Sequence, residues 1–335
     1  MVDHKLLDTI LNKIKTQYGE ASVRPKGGAA IERIPTGDLM LDYITGGGFP
    51  MGRFIHEYGG YASAKTLTAW NVARQAQKLG KNIAYYNAEK QYDEKWLKKW
   101  GLDTDQIEVI EGSTIEGIGT KMEALLGAVN IHIVDSLASC VSEDELAAKP
   151  GDWLPGISAR AWGKVLRRIN ERFDDRDNMV ILINQTRDLF GRGGGEAATG
   201  GKMIEYLSSL SLHFRKSSWL YQDKNGILQD EGTGTDTITG DKEPDGIEFQ
   251  VRAAKSRVSR PLGTARFRLD FEKCEFDQLW TLVKAANHFE IVQRGGSWYT
   301  LPDGKTKVQG ERGLREALAS DQNLVDQVVE RLKQI

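Results

Sequence analysis

Apolar positions along the chain switch repeatedly between a helical and an extended period. Leu6, Leu7, Ile10, Leu11 and Ile14 recur at helical spacing, and Gly19 stands where a C-cap belongs. The next stretch, 21–30, carries Pro25, Gly27 and Gly28 and reads as a linker. That first helix packs either on its own core or on a neighbouring subunit. From 31 to about 276, extended apolar runs at 53–58, 82–87, 107–110, 130–135, 179–184, 209–215, 248–254 and 265–271 are expected to be strands. Helical patterns at 67–79, 94–100, 115–126 and 159–173 separate the earlier ones. This alternation predicts an α/β domain on a twisted, mostly parallel central sheet, and the closer spacing of the later strands predicts an antiparallel extension. From about 279 the chain mixes helices with a small hairpin around Trp298-Tyr299 and closes on an amphipathic helix from Asp321. The expected organisation is therefore an N-terminal helix and linker (1–31), a core (32–278) and a small α+β C-terminal domain (279–335). Three segments (148–156, 188–201 and 222–246) are rich in Gly, Pro or polar residues and read as irregular, the last with an Asn225-Gly226 hairpin signal.

Bulk properties narrow the function without deciding it. The 335 residues are 40% hydrophobic and 27% charged, ordinary for a globular protein. Forty-five basic against 47 acidic residues give a net charge of -2, so any nucleic-acid binding must come from local basic patches. Cys140 and Cys274 lie far apart with no paired spacing, which suits a reducing cytoplasm. The five histidines show no metal-ligand spacing, and no apolar run approaches membrane-spanning length.

The densest chemical signal is Gly59-Gly60-Tyr61-Ala62-Ser63-Ala64-Lys65-Thr66, between an expected strand and the helix that Leu67 opens. Backbone N–H groups at such a turn can wrap phosphates, and the helix N-terminus favours their negative charge. Lys65 would reach the terminal phosphates and the Thr66 hydroxyl would hold magnesium. Ala64 stands where the pattern has its second glycine, so the loop is either relaxed but working or in decline. Asp135 ends an apolar strand, as a magnesium-holding acid would. Glu89 follows another strand at the sheet edge where open α/β folds place ligands, and could polarise an attacking water. Asn184-Gln185 ends a third strand and leads into the glycine-rich segment, a plausible phosphate-operated switch. Arg160, Lys164, Arg167 and Arg168 recur at helical spacing, and Arg187 and Arg192 flank Phe190, a pattern that suits single-stranded nucleic acid. Arg252, Lys255, Arg257 and Arg260 form a second basic cluster, able to bind phosphate within the chain or across an interface.

Several of these residues fall in the order of a known family. With Pro50-Met51-Gly52-Arg53, Ala88-Glu89, Val134-Asp135-Ser136, Asn184-Gln185-Thr186-Arg187, Thr199-Gly200-Gly201 and Gly296-Ser297-Trp298-Tyr299, the chain resembles the bacterial RecA recombinases and their phage-encoded relatives. The resemblance implies a P-loop ATPase core that uses ATP and Mg2+ bound between subunits of a homo-oligomeric helical filament. That filament would form on single-stranded DNA and pair it with homologous duplex DNA, in a bacterial or phage-infected cytoplasm and with loader or single-strand-binding proteins as possible partners. It gives Glu89 the catalytic role and Gln185 the link from terminal phosphate to DNA loop. Asp93 and Trp96 fall at the adenine, and Lys255 and Arg257 reach the neighbour's ATP. It makes 148–156 and 188–201 DNA-binding loops, with Arg160, Arg167, Arg187, Gly200 and Gly201 on the DNA backbone. Phe190 would wedge between base triplets, as would Leu154 or Pro155 in the first loop. Tyr206 would couple subunits. Ala64, the long 222–246 insertion and an end without an acidic tail depart from bacterial members and point toward a phage or mobile source. The alternative reading is a DNA-bound filament scaffold that hydrolyses ATP poorly because of Ala64.

Overall fold

The computed structural model describes residues 4–18, 30–149, 151, 152, 154, 156–173, 177–188, 196–223, 226–230 and 243–334. The chain divides into two units, 1–32 and 33–335. In the first, helix α1 (His4–Tyr18) forms as its periodicity predicts, and Gly19 lies outside the described residues.

In the second unit, a short antiparallel pair, β1 (Arg33–Ile34) and β2 (Phe49–Pro50), flanks helix α2 (Leu39–Thr45). Strands and helices then alternate through β3 (Arg53–Gly59), α3 (Lys65–Lys78), β4 (Ile83–Asn87), α4 (Glu94–Lys99), β5 (Ile107–Glu111), α5 (Ile115–Leu125) and β6 (Ile131–Asp135). There follow α6 (Glu143–Ala147), α7 (Ile157–Arg172), β7 (Met179–Asp188), β8 (Glu196–Ala198) and α8 (Lys202–Leu207). The remaining core strands are β9 (Leu210–Gln222), β10 (Leu228–Asp230), β11 (Gly246–Ser256), β12 (Thr264–Asp270) and β13 (Glu275–Phe276). Among the described residues the central sheet runs β13-β12-β11-β9-β3-β7-β6-β4-β5, with β10 on β9 and β8 on β7. Pairings from β9 through β3, β7, β6 and β4 to β5 are parallel, and those beyond β9 are antiparallel, as the strand spacing predicts.

Period-2 alternation on β3 feeds two apolar layers. Ile55 joins Trp70, Val72 and Ala73 of α3 on one face, and Phe54 joins residues of α5 and α7 on the other. The α5–α7 contact requires glycine at 119, since a Cβ there would meet Val165 Cγ1 at 2.6 Å. A third cluster joins α9 (Gln278–His288) to β15 (Trp298–Thr300), β16 (Lys307–Gln309), α10 (Gly310–Ser320) and α11 (Gln322–Lys333), and the exposed β14 (Gln293–Gly295) pairs with β15 at its edge. Thr281 Oγ1 donates to the buried Asp38 carboxylate at 2.8 Å and ties this lobe to α2.

Two expectations of irregular backbone need correction. The glycine-rich segment is flanked by paired strands, because β7 continues to Asp188 and pairs with β8 in antiparallel register. Within 222–246, β10 pairs back onto β9 as the hairpin signal predicts, with Gly226 at φ 71° and Asn225 outside the described residues. Short helices at α2, α6 and α8 were not read from the sequence; each is too short to show a clear helical period.

Candidate nucleotide and DNA site

The loop after β3 adopts a phosphate-cradling shape even without its second glycine. Ala62 and Ala64 both take left-handed conformations, at φ 51° and 65°. Each costs on the order of 1–2 kcal/mol relative to the right-handed region, so the packed β3–α3 frame imposes this geometry. Helix α3 begins at Lys65, two residues earlier than the apolar pattern predicts, and no side chain caps its first turn. Its leading N–H groups are therefore free for an anion. Lys65 Nζ donates to Gly59 O (3.1 Å), Gly60 O (2.8 Å) and Ser63 Oγ (3.2 Å), holding the loop closed around its own ammonium. Tyr61 stands at the apex, 95% exposed.

The parallel strands β4, β6 and β7 deliver the other groups to the same edge. Thr66 Oγ1 donates to Asp135 Oδ2 at 2.9 Å, and Tyr85 OH donates to the same oxygen at 3.1 Å. Burial raises the Asp135 pKa to about 6, with the Thr66 hydrogen bond opposing. Glu89 N donates to Asp135 O at 3.1 Å, which fixes the turn after β4. The Glu89 carboxylate accepts from the Ser136 hydroxyl in a short hydrogen bond, from Ser139 Oγ at 3.2 Å and from Gln185 Nε2 at 3.3 Å. Thus Lys65, Thr66, Asp135, Glu89 and Gln185, scattered over 120 positions of sequence, converge at one end of the parallel sheet.

Glu57 was missed by the sequence reading. It lies on β3, fully buried, and neither carboxylate oxygen has a hydrogen-bond partner among the described residues. Burial pushes its pKa well above the usual carboxylate range, with Lys65 opposing and Asp135 adding to the shift. An acid inside an otherwise apolar strand run was the available signal. Tyr85, Ser136 and Ser139 were also missed as site residues; a buried tyrosine on a strand leading to the site signals a polar partner.

A magnesium ion fits the oxygen donors at this edge. Thr66 and Asp135 present a hydroxyl and a carboxylate within hydrogen-bond distance of each other. Among the described residues no cluster of three or more His, Cys, Asp or Glu could hold a metal, and a phosphate-borne magnesium needs only one or two protein oxygens.

The other predicted residues separate into two groups. Asp93 caps α4, accepting from Trp96 N at 3.1 Å, and the half-exposed Trp96 ring meets Trp100 edge-on at 6.0 Å. Lys255 is not gathered with Lys65: its Nζ donates to the carbonyl oxygens of Glu205, of Tyr206 at 3.2 Å and of Ser208 at 2.7 Å, at the end of α8. Arg257 is exposed, and Tyr206 is 57% exposed.

Among the loop residues, Leu154, Arg160, Arg167 and Arg187 are exposed. Pro155, Phe190 and Arg192 lie outside the described residues. On α7 the apolar Ala161, Trp162, Val165, Leu166 and Ile169 face inward, leaving Arg160, Lys164, Arg167 and Arg168 outside. Arg168 and Arg172 both pair with Glu123 of α5, at 2.9 and 2.8 Å, so Arg168 is committed to a surface ion pair. Gly200 and Gly201 both have positive φ, and a Cβ on Gly201 would meet Ala159 Cβ at 2.9 Å. That close approach brings the chain after β8 against the start of α7, uniting the two predicted DNA elements on one side. No helix of the described residues is long and apolar enough to cross a membrane.

Comparison with known proteins agrees with this geometry. Residues 5–274 match the RecA N-terminal domain family. A protein named RecA from Gloeothece citriformis is 31% identical over 313 residues, covering 91% of this chain and 83% of the relative. Another named RecA, from Saccharopolyspora erythraea, is 30% identical over 346 residues and covers 98% of this chain and 92% of its own. A third, from Aquifex aeolicus, is 30% identical over 338 residues with the same coverages.

Proposed function

The chain belongs to the RecA family, and from that premise we infer that it is a DNA-dependent ATPase that drives homologous pairing and strand exchange in recombination and repair. In this reading it assembles as a helical filament on single-stranded DNA and pairs that strand with homologous duplex DNA in the cytoplasm. The observation that carries the reading is the meeting of Gln185 and Glu89 beside the Thr66–Asp135 pair. One residue on the strand that enters the glycine-rich segment thereby touches the carboxylate that would activate water.

The residues divide the work as follows. Gly59 to Leu67 and Lys65 cradle the triphosphate of ATP, and Asp93 and Trp96 receive its adenine. Thr66 and Asp135 hold Mg2+, which neutralises phosphate charge when bound. Glu89, oriented by Ser136 and Ser139, takes the proton of the attacking water. Gln185 hydrogen-bonds either Glu89 or the terminal phosphate, so its position reports nucleotide state to β7 and the loop beyond. Leu154, Pro155, Arg160, Arg167, Arg187, Phe190, Gly200 and Gly201 engage DNA, while Lys255 and Arg257 complete the site of an adjacent subunit beside Tyr206.

Steady-state ATP hydrolysis with and without single-stranded DNA tests this. Strong stimulation by DNA is expected. DNA binding without hydrolysis in either condition would move the protein to a scaffold role, with the alanine-bearing loop unable to support turnover.

A further inference from the structure

Under the phosphate loop, β3 turns a polar aromatic face toward β9 and β7. His56 and Tyr58, two apart on the strand, stack with ring centroids 4.9 Å apart and planes 20° from parallel. Tyr58 stacks in turn on His213, its register partner on β9, at 4.8 Å and 6°. His213 Nε2 lies 3.0 Å from Glu196 Oε2, and Glu196 is the first residue of β8. At the other end of the stack, His56 Nε2 meets Asn184 Nδ2 at 3.2 Å. Asn184 also donates to Thr199 O at 2.8 Å and accepts from Thr199 Oγ1 at 2.6 Å. Because Asn184 Nδ2 is the donor, His56 Nε2 accepts and its proton sits on Nδ1.

We propose that this His56–Tyr58–His213 stack is a second coupling line between the phosphate-loop strand and both strands flanking the glycine-rich segment, acting beside Gln185 to position that segment for DNA. The proposal rests on the recombinase reading. Among the described residues the Gln185 side chain meets only Glu89, and Gln185 reaches the β8 side solely through its backbone carbonyl, which accepts from Thr199 N at 3.1 Å. The stack instead joins side chains to β7 through Asn184 and to β8 through Glu196. Its rings stand immediately before Gly59, so a shift of the phosphate loop moves Tyr58 directly.

Two features suit it to have a second arrangement. A cavity of about 390 Å³ runs beside it, lined by His56, Tyr58, Glu196, Glu205, Ser211 and Lys255. His56 Nδ1 and Ser211 Oγ on that wall are buried with no partner among the described residues. Buried polar atoms are rarely left unpaired in a single resting packing, and space beside them lets the rings change partners. The same cavity borders Lys255, so the device reaches the group proposed to act on the adjacent subunit.

The test compares ATP hydrolysis with and without single-stranded DNA in full-length His213→Leu, His213→Phe and Glu196→Gln variants. His213→Leu removes both the ring and its hydrogen bond to Glu196; it should leave DNA-free hydrolysis unchanged and lower stimulation about ten-fold. His213→Phe restores the stack and should recover part of that loss, and Glu196→Gln should show a smaller loss of the same kind. Wild-type stimulation in a folded His213→Leu protein overturns the proposal, as does a parallel fall in DNA-free and DNA-stimulated rates. If His213→Leu does not fold, Glu196→Gln at its partly exposed position decides, and unchanged stimulation there overturns it. A wild type without stimulation fails at the recombinase reading itself, and the proposal falls with it.

Discussion

The two halves of the proposed ATP site differ in how complete they are within one chain. At the end of the parallel strands, Lys65, Thr66, Asp135, Glu89 and Gln185 are already hydrogen-bonded to one another or to the loop they serve. On the antiparallel extension, Lys255 is held by three carbonyl oxygens at the end of α8, and Arg257 projects from the surface. Parallel strands with buried faces deliver their C-terminal residues to a common edge, so sheet register alone assembles the first half. The second half has no such frame, and Lys255 satisfies itself locally as a helix-terminal cation. On the proposed function, the contrast means that the fold builds the Lys65–Glu89 half within one chain and leaves the Lys255–Arg257 half to assembly.

Breaking the intrachain half should have the largest effect. Glu89→Gln keeps the hydrogen bonds of Ser136 and Ser139 but removes the base, so turnover should fall by about 10²–10⁴-fold while ATP and DNA binding persist. Pre-steady-state hydrolysis alongside equilibrium nucleotide binding checks this, and normal turnover would remove Glu89 from the mechanism. Breaking the assembly half should act differently. Lys255→Ala and Arg257→Ala subunits should both fold, Lys255→Ala with a slightly lowered thermal transition because the carbonyl oxygens at the end of α8 lose their donor. Both should assemble without cooperativity, with DNA-stimulated hydrolysis down by about ten-fold or more. Sedimentation with DNA and ATP reads the assembly, and cooperative filaments in both variants would contradict an interface role.

The smallest effect belongs to the loop itself. Ala64→Gly removes a methyl from a left-handed position and should stabilise the protein by about 1 kcal/mol, a gain of a few degrees at most in a chain of this size. Its hydrolysis should match or exceed wild type. A loss of stability would mean that the observed φ of 65° is not strained.

Much of the intrachain half was legible in the sequence. A strand, a phosphate-loop pattern and a helix leave little freedom, and Asp135 and Glu89 at strand ends follow from the parallel α/β pattern. Glu57, Tyr85, Ser136 and Ser139 were not assigned. Their roles depend on which strands and strand-end turns lie side by side, up to 82 positions apart in sequence (Glu57 to Ser139), and register is invisible until strands pair. The His56–Tyr58–His213 stack was missed for the same reason: in sequence these are ordinary strand residues, and only the β3–β9 register brings His213 onto Tyr58. The flanks of the glycine-rich segment were read as irregular because glycine content masked Glu196 to Ala198, whose pairing comes from β7 rather than from any apolar period of their own. Lys255 was legible as a cation but not in its resting contacts, which depend on where α8 ends.

The division of labour between the two halves is tested most directly by mixing subunits. Glu89→Gln supplies intact Lys255 and Arg257, and a Lys255→Ala/Arg257→Ala double variant supplies an intact Glu89 site; each alone should be nearly inactive. Combined in equal amounts on single-stranded DNA, about a quarter of the head-to-tail interfaces would join two intact halves, and DNA-stimulated hydrolysis should reappear in that proportion. A mixture no more active than its components would contradict a site shared between subunits.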